Sequence, residues 1–169
     1  MAHTEKLTRI FDIVVIGIQL GLTFTVLVCL YMVFAILDYQ GGFDSFIGMV
    51  IFQPIMAALL SGLTIICCMT VGFPIRLIKN LNEWWTRHFY VAFILSLVGL
   101  TLIGLSLTPQ FIEETTISTD EMEIVKSLPN FGLIITGWFV TAFSILHIYP
   151  PHSLKVKAQH ILTELTGIK

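Results

Sequence analysis

Two histidines stand where long uncharged runs of the chain meet polar sequence. His88 opens the third such run and His147 lies near the end of the fourth. If these runs form neighbouring antiparallel helices, both imidazoles lie at one membrane boundary, where they could ligate a haem iron axially while Arg87 pairs with a propionate. The placement equally fits interfacial histidines that bind lipid headgroups or Asp12, because amphipathic rings favour that level. We expect no cofactor, with haem b at His88 and His147 as the alternative.

No other set of reactive residues points to a reaction. The chain has no Ser-His-acid spacing, no CxxC or HExxH motif, no P-loop and no dinucleotide fingerprint. Its cysteines, Cys29, Cys67 and Cys68, fall inside apolar runs, where free cysteine acts as a small apolar side chain. Tetraspanins, claudins and thiol-oxidising four-span proteins carry their cysteines in loops instead. We expect neither an enzyme nor a metal site, and the chain resembles no family closely enough to assign it.

The composition indicates an integral membrane protein. Of 169 residues, 56% are hydrophobic and only 12% are charged, and the mean hydropathy is +0.89. So few charges cannot cover a water-facing surface. Nine Lys and Arg residues against eleven acids also exclude the concentrated basic face that nucleic-acid binding requires.

Four uncharged runs are each long enough to cross a bilayer, which takes about 20 mainly apolar residues. Turn-forming Gly41-Gly42, Pro109 and Pro150-Pro151 lie near their ends. We therefore predict a single all-α domain, a four-helix transmembrane bundle with spans at 11–37, 46–73, 88–108 and 130–149. Pro54 predicts a kink or a later helix start in the second span.

The positions of the cations predict the orientation of the bundle. Eight of the nine lie in the N-terminal segment, the second connection or the tail, and Lys126 alone lies in the outer loop. Because basic loops stay on the cytoplasmic side, both termini are predicted to be cytoplasmic. The absence of Asn-x-Ser/Thr sites fits a bacterial inner membrane.

Each predicted span carries small or polar residues at helical spacing. Helices in lipid associate through small residues and interhelical hydrogen bonds, so these positions predict helix contacts, either inside the bundle or with another subunit. The glycines and alanine of this set are Gly17, Gly21, Ala58, Gly62 and Gly137. The polar members, which either pack between helices or line a pore built from several copies, are Gln19, Thr23, Gln53, Ser61 and Thr64.

Three segments outside the spans are patterned. In the outer loop, Thr119 followed by two acids precedes Met122, Ile124 and Val125, which predicts a short capped helix. Residues 75–85 of the second connection predict a short interfacial helix. The tail predicts an amphipathic helix at about 153–167 that lies on the membrane or docks on a partner through an apolar stripe, Leu154, Ile161, Leu165 and Ile168.

These observations favour a non-catalytic accessory or scaffold subunit of a larger membrane complex. Its expected partners are the lipid bilayer and other membrane subunits or copies of itself. No charged residue lies near the middle of any span, which disfavours proton-coupled transport by one chain. A homo-oligomeric channel or small transporter, and a b-type cytochrome subunit, are the alternatives.

Overall fold

The computed structural model describes residues 2–39, 41–119 and 122–149, and this part of the chain is mostly helical. The predicted tail helix at 153–167, with the stripe from Leu154 to Ile168, lies outside the described residues. Long apolar runs form the helices, because a helix satisfies its backbone hydrogen-bonding groups within the segment. The prediction of a mainly α-helical chain is therefore confirmed.

The elements follow the apolar runs along the chain. In chain order they are α1 (Ala2–Leu37), α2 (Phe43–Ile47), a π-helix (Gly48–Phe52), α3 (Gln53–Leu77), α4 (Lys79–Arg87), α5 (Phe89–Ser106), a 3-10 turn (Pro109–Phe111), strands β1 (Ile112–Thr119) and β2 (Met122–Pro129), and α6 (Phe131–Leu146).

Three of these helical segments are long and apolar enough to cross a membrane by length and composition. They are Ile10–Leu37, Ser45–Leu77 and Phe89–Ser106, and the apolar helix Phe131–Leu146 is shorter. At a rise of about 1.5 Å per residue, the 16 residues of α6 extend about 24 Å, less than a hydrocarbon core of about 30 Å. The other three segments have the length and hydropathy that their runs predict.

The ends and breaks of the helices follow glycine and proline. After α1, the turn uses Gly41 and Gly42 at φ of 83° and 93°, a region that favours glycine. Pro54 is the second residue of α3 and follows the π-helix, and because the backbone is helical from Phe43 onward, this proline does not delay the start of the helix. Helix α3 continues through Pro74 to Leu77. Ile78 then adopts an extended conformation, with ψ of 109°, and separates α3 from α4.

The second connection forms the helix that its sequence predicts, whereas the outer loop does not. Helix α4 occupies the second connection, as its spacing of apolar residues indicates. The helix predicted in the outer loop is wrong: β1 and β2 form an antiparallel hairpin there, with Ile112 opposite Pro129 and Thr119 opposite Met122. Thr and Ile make up five of the eight residues of β1, β2 contains Ile124 and Val125, and β-branched residues favour strands over helices.

The long helices alternate in direction. Tyr31 near the end of α1 meets Gln53 at the start of α3, while Gln19, midway along α1, meets Ile148 just after α6. The middle of α1, the ends of α3 and α6 and the helix α4 thus lie together, and we call this the cation-rich end because it contains Arg76, Lys79 and Arg87. The opposite end carries the hairpin, and we call it the hairpin end.

Helix α6 is the shared neighbour of α1, α3 and α5. The buried apolar core lies between α1, α3 and α6 and consists of Leu27, Cys68, Trp138, Ala142 and Leu146. On the other side of α6, α5 and α6 meet at two glycines, Gly99 of α5 and Gly137 of α6. A Cβ at Gly99 would lie 2.8 Å from the Gly137 carbonyl oxygen, and one at Gly137 would lie 2.6 Å from the Gly99 carbonyl oxygen. Neither backbone leaves room for a side chain there.

We expect Gly99→Ala to destabilise the folded chain by about 1–3 kcal/mol, because the added methyl group must push α5 away from α6. Gly104→Ala is the matched control on the same helix, since nothing lies within 4 Å of a Cβ at Gly104. The measurement is the thermal unfolding midpoint of both variants in one detergent. Equal midpoints for the two alanine variants would contradict this close approach.

Candidate functional site

The strongest candidate for a functional site is the set of polar side chains buried between the helices. Thr23 of α1, Ser61 and Thr64 of α3 and Thr141 of α6 are at most 3% exposed. Trp138 of α6 donates its indole N–H to the Thr64 hydroxyl oxygen over 3.0 Å, which joins α6 to α3 in the middle of the bundle. The polar residues of the spans therefore lie on contact faces between helices.

Most hydroxyl groups in this interior bond to their own helix. Thr23 donates to the Gln19 carbonyl, Thr64 to the Leu60 carbonyl and Ser144 to the Val140 carbonyl, over 2.7, 2.8 and 2.5 Å. Bonding of this i to i−4 kind satisfies a hydroxyl without a partner on another helix. Within the single chain, Thr23 and Thr64 consequently act as packed interior residues. The Ser61 hydroxyl is also buried, and it has no hydrogen-bond partner.

A second interhelical contact lies toward the hairpin end. The Tyr31 hydroxyl donates to the Gln53 side-chain oxygen over 2.8 Å, and both residues are half-buried. Gln53 is the first residue of α3, so this bond holds the start of α3 against α1. Gln53 thus makes a hydrogen bond between α1 and α3.

The cation-rich end contains a denser polar cluster around the end of α6. His147 directly follows α6 and is completely buried. Its carbonyl accepts the Trp85 indole N–H over 2.7 Å, and the next carbonyl, of Ile148, accepts the Gln19 amide over 2.5 Å. Helices α1 and α4 therefore cap carbonyl groups that α6 cannot satisfy itself.

The His147 ring is held on both sides. Its Nδ1 lies 2.8 Å from the Phe143 carbonyl oxygen, which can only accept, so Nδ1 carries a proton. The ring stacks on Phe143 with centroids 4.4 Å apart. Its Nε2 points at Gly72 of α3 so closely that a Cβ at Gly72 would overlap the ring. Gly72 is thus the position that lets α3 pass beside this histidine.

This geometry does not fit a haem iron between His88 and His147. Axial ligation through Nε2 of His147 would need open space where the Gly72 backbone lies. His88 is half-buried, its Nδ1 lies 2.9 Å from the Trp84 carbonyl oxygen, and its ring lies against that of Trp84, with centroids 4.9 Å apart and planes tilted by 30°. The two imidazoles therefore belong to separate packing arrangements, and we derive no step through a haem.

The predicted small-residue positions divide into two groups. Gly137 is buried at the contact with α5, as described above. Gly17 and Gly21 are exposed, Ala58 and Gly62 are half-buried, and nothing lies within 4 Å of a Cβ built at Gly17, Gly21 or Gly62. Inside the described chain these three glycines make no close helix contact, which leaves the Gly17 and Gly21 face of α1 open to lipid or to another chain.

Several residues of the site were not singled out from the sequence. Gly72 is in a close contact with His147, Trp138 donates an interhelical bond, and the Arg76 guanidinium is buried in part. The sequence feature that could have identified Gly72 is its position four residues after Cys68, on the small-residue face of α3. The order of the helices places Trp85 and His147 at the same end of the bundle, but their hydrogen bond joins residues 62 positions apart and has no local pattern.

The described residues hold no group of three or more His, Cys, Asp or Glu side chains placed to bind a metal ion. Comparison with protein-family models, curated proteins and solved structures found no match. The function must therefore be argued from the chain's own geometry. That geometry supplies buried polar contacts within the bundle and a wide apolar exterior.

We expect Gly72→Ala to lower the thermal midpoint because its methyl group meets the fully buried His147 ring, at a cost of about 1–3 kcal/mol. In a His147→Ala background the same substitution should have little effect, since the obstructing ring is gone. A double-mutant cycle of unfolding free energies measures this coupling. Gly62→Ala on the same helix, where a Cβ meets nothing, is the control. Additive effects of the two substitutions would refute the contact.

Proposed function

We propose that this chain is a non-catalytic multi-pass membrane protein that serves as an accessory or scaffold subunit of a larger membrane assembly. The observation that carries the proposal is its exterior. Large apolar side chains are exposed along α1, α3 and α5, among them Ile13 at 67%, Ile18 at 64% and Leu63 at 60%. A contiguous apolar surface of this extent requires lipid or protein around it.

The interior supports a structural role for the polar groups. Thr23, Thr64 and Trp138 are buried and hydrogen-bonded between or within helices. A pore through one chain would instead need such groups along a hydrated axis. A homo-oligomeric channel is the second candidate, and its pore would have to form between copies.

The α1 exterior is the face best suited to assembly. Gly17 and Gly21 are four residues apart and exposed, and large apolar side chains at Ile13, Ile18 and Leu22 border them. Two helices approach closely when each has exposed glycines bordered by larger apolar side chains, because backbone and side chains then make extensive van der Waals contact. In the membrane setting this face can receive a helix of another subunit or of a second copy.

In the orientation proposed here, the cation-rich end faces the cytoplasm and the hairpin end faces the opposite side. Arg76, Lys79 and Arg87 support this, because Lys and Arg are retained on the cytoplasmic side of membrane proteins. We place the protein in the cell membrane, specifically a bacterial inner membrane. Reporter tags fused at each terminus and in the hairpin test this arrangement.

The assembly role is tested by purification in mild detergent from the native membrane, followed by the mass and composition of the particle. A discrete particle that contains unrelated chains supports the accessory role. A ring of identical copies favours the channel. A monodisperse single chain would refute both.

We expect Gly17→Ile together with Gly21→Ile to break the assembly at α1 while leaving the single chain folded, because both positions are open within it. The measurement is the fraction of the chain that elutes in the large particle. Gly104→Ile on the exposed side of α5 is the matched control. Assembly that survives the double substitution would show that α1 is not the contact.

The tail provides an independent test. If the predicted stripe of the tail docks on a partner, Leu165→Asp should release that partner, because a carboxylate in an apolar contact costs several kcal/mol. Thr163→Asp, which lies off the predicted stripe, should not. Partner recovery after affinity purification is the readout, and equal recovery from both variants would exclude docking through the tail.

A further inference from the structure

The two nitrogens of the His147 ring have very different surroundings. The residue is completely buried at the cation-rich end. Its Nδ1 carries the proton that bonds to the Phe143 carbonyl oxygen over 2.8 Å. Its Nε2 is also buried, and it has no hydrogen-bond partner among the described residues. The packed ring is therefore neutral, with one satisfied N–H group and one bare nitrogen.

The space beside the bare nitrogen does not admit a second proton. Nε2 is the ring atom nearest to where a Cβ at Gly72 would lie, and that Cβ would overlap the ring. A hydrogen on Nε2 would thus point toward the Gly72 α-carbon, which cannot accept a hydrogen bond. Protonation also turns Nε2 into a charged donor, and a buried charged donor without an acceptor is costly. The packed arrangement therefore excludes the doubly protonated ring.

The charged groups nearest to the ring come from α3 and α1. Arg76 lies one turn after Gly72 on the same face of α3, and its positive charge opposes a second positive charge on His147. Asp12 of α1 acts on Tyr149, two residues beyond the ring. Asp12 is the acid of this neighbourhood, so its substitution belongs among the controls below.

The other titratable side chains near this end are Cys68 of α3, Lys79, Glu83 and Arg87 of α4, His88 between α4 and α5, and Tyr90 of α5. Lys79 and Glu83 are exposed and lie 3.9 Å from each other. Helix α6 itself contains no Asp, Glu, Lys, Arg or His residue. Within the described chain none of these groups bonds to Nε2, so none of them supplies the acceptor that a second proton needs.

The ring cannot leave its position without disturbing the backbone around it. Its Nδ1–H bond and its stacking on Phe143 fix it to the last turn of α6. The carbonyl of the same residue accepts the Trp85 indole N–H of α4, and the next carbonyl, of Ile148, accepts the Gln19 amide of α1. Displacement of the ring from Gly72 therefore strains the contacts that hold α4 and α1 at this end.

We propose that His147 is a pH-sensitive switch, in which a second proton at Nε2 separates the end of α6 from Gly72 and detaches α4. Above the ordinary pKa of histidine, about 6.5, the neutral ring keeps the cation-rich end packed. Below it, the released ring binds a proton that the packed ring excludes, so the packed state loses stability as the pH falls. In the orientation proposed above, this switch responds to cytoplasmic acidification, but the mechanism requires neither that orientation nor the assembly role.

The first test is thermal unfolding of the full chain in a neutral detergent at pH 7.5 and pH 5.0. His147→Asn keeps a donor for the Phe143 carbonyl but cannot titrate. At 1.5 pH units below 6.5, exclusion of the proton shifts the equilibrium about 30-fold. The midpoint of the wild type should therefore fall by about 4–8 °C more than that of His147→Asn. An equal fall in both chains would overturn the switch.

Two further variants separate His147 from other titrating groups. His88→Asn is the matched control, because His88 also bonds through Nδ1 to a carbonyl four residues earlier but is only half-buried. It should fall as far as the wild type. Asp12→Asn should do the same, and loss of the fall in that variant would assign the effect to Asp12. If His147→Asn does not fold, His147→Phe fills the same space without a titratable nitrogen and should show the smaller fall.

Hydrogen exchange distinguishes a local switch from general acid unfolding. With rates corrected for the intrinsic effect of pH, α4 and the last turn of α6 should exchange faster at pH 5.5 than at pH 7.5. The start of α3, which the bond between Tyr31 and Gln53 holds at the hairpin end, should be unchanged. Equal acceleration at both ends would refute the switch. Nitrogen NMR of the folded chain gives a direct check, because a doubly protonated His147 in a chain that remains packed would also refute it.

Discussion

Helix α6 packs against α1, α3 and α5, and the close approach of backbones around it makes the bundle possible. Gly99 and Gly137 let α5 meet α6, and Gly72 lets α3 pass the His147 ring. In an apolar solvent, burial of apolar area adds little to helix association, so tight packing must supply the attraction. A side chain at any of these three glycines separates α6 from one of its neighbours.

Polar groups complete the arrangement at three levels. Tyr31 and Gln53 join α1 to α3 toward the hairpin end, Trp138 and Thr64 join α6 to α3 at mid-height, and Gln19 and Trp85 reach the carbonyls after α6. Hydrogen bonds of this kind are directional, whereas packing between apolar side chains is not. They therefore set the relative register of helices that packing alone would leave less defined.

The exterior and the cation-rich end suit different kinds of neighbour. The exposed face of α1 is apolar, and nothing covers Gly17 and Gly21, so a helix of another chain can pack against this face. The cation-rich end carries the exposed residues Lys79, Trp84 and Arg87, which suit the interface between a membrane and water. Both features concern what surrounds the chain rather than a reaction inside it. They are the reason that we favour a structural role in a membrane over catalysis.

Local sequence patterns were sufficient to predict the helices but not the structure of the outer loop. Long uncharged runs predicted α1, α3, α5 and α6, because apolar residues over such lengths leave few alternatives to a helix. The predicted helix at Thr119 to Leu128 is instead the hairpin of β1 and β2. Its capping pattern was local, whereas strand pairing joins residues that are up to 17 positions apart, as Ile112 and Pro129 are. No short window of sequence contains that information.

The sequence by itself determined the number of long apolar segments, the small and polar residues each one carries, and the separation of cations from acids along the chain. Only the tertiary structure decided which of these residues meet. Gly17 and Gly137 have the same side chain and similar apolar neighbours, but one faces outward and the other touches α5. Likewise His88 is half-buried and His147 fully buried. The reason is that helical phase and neighbour choice depend on contacts between distant segments, which composition and spacing do not encode.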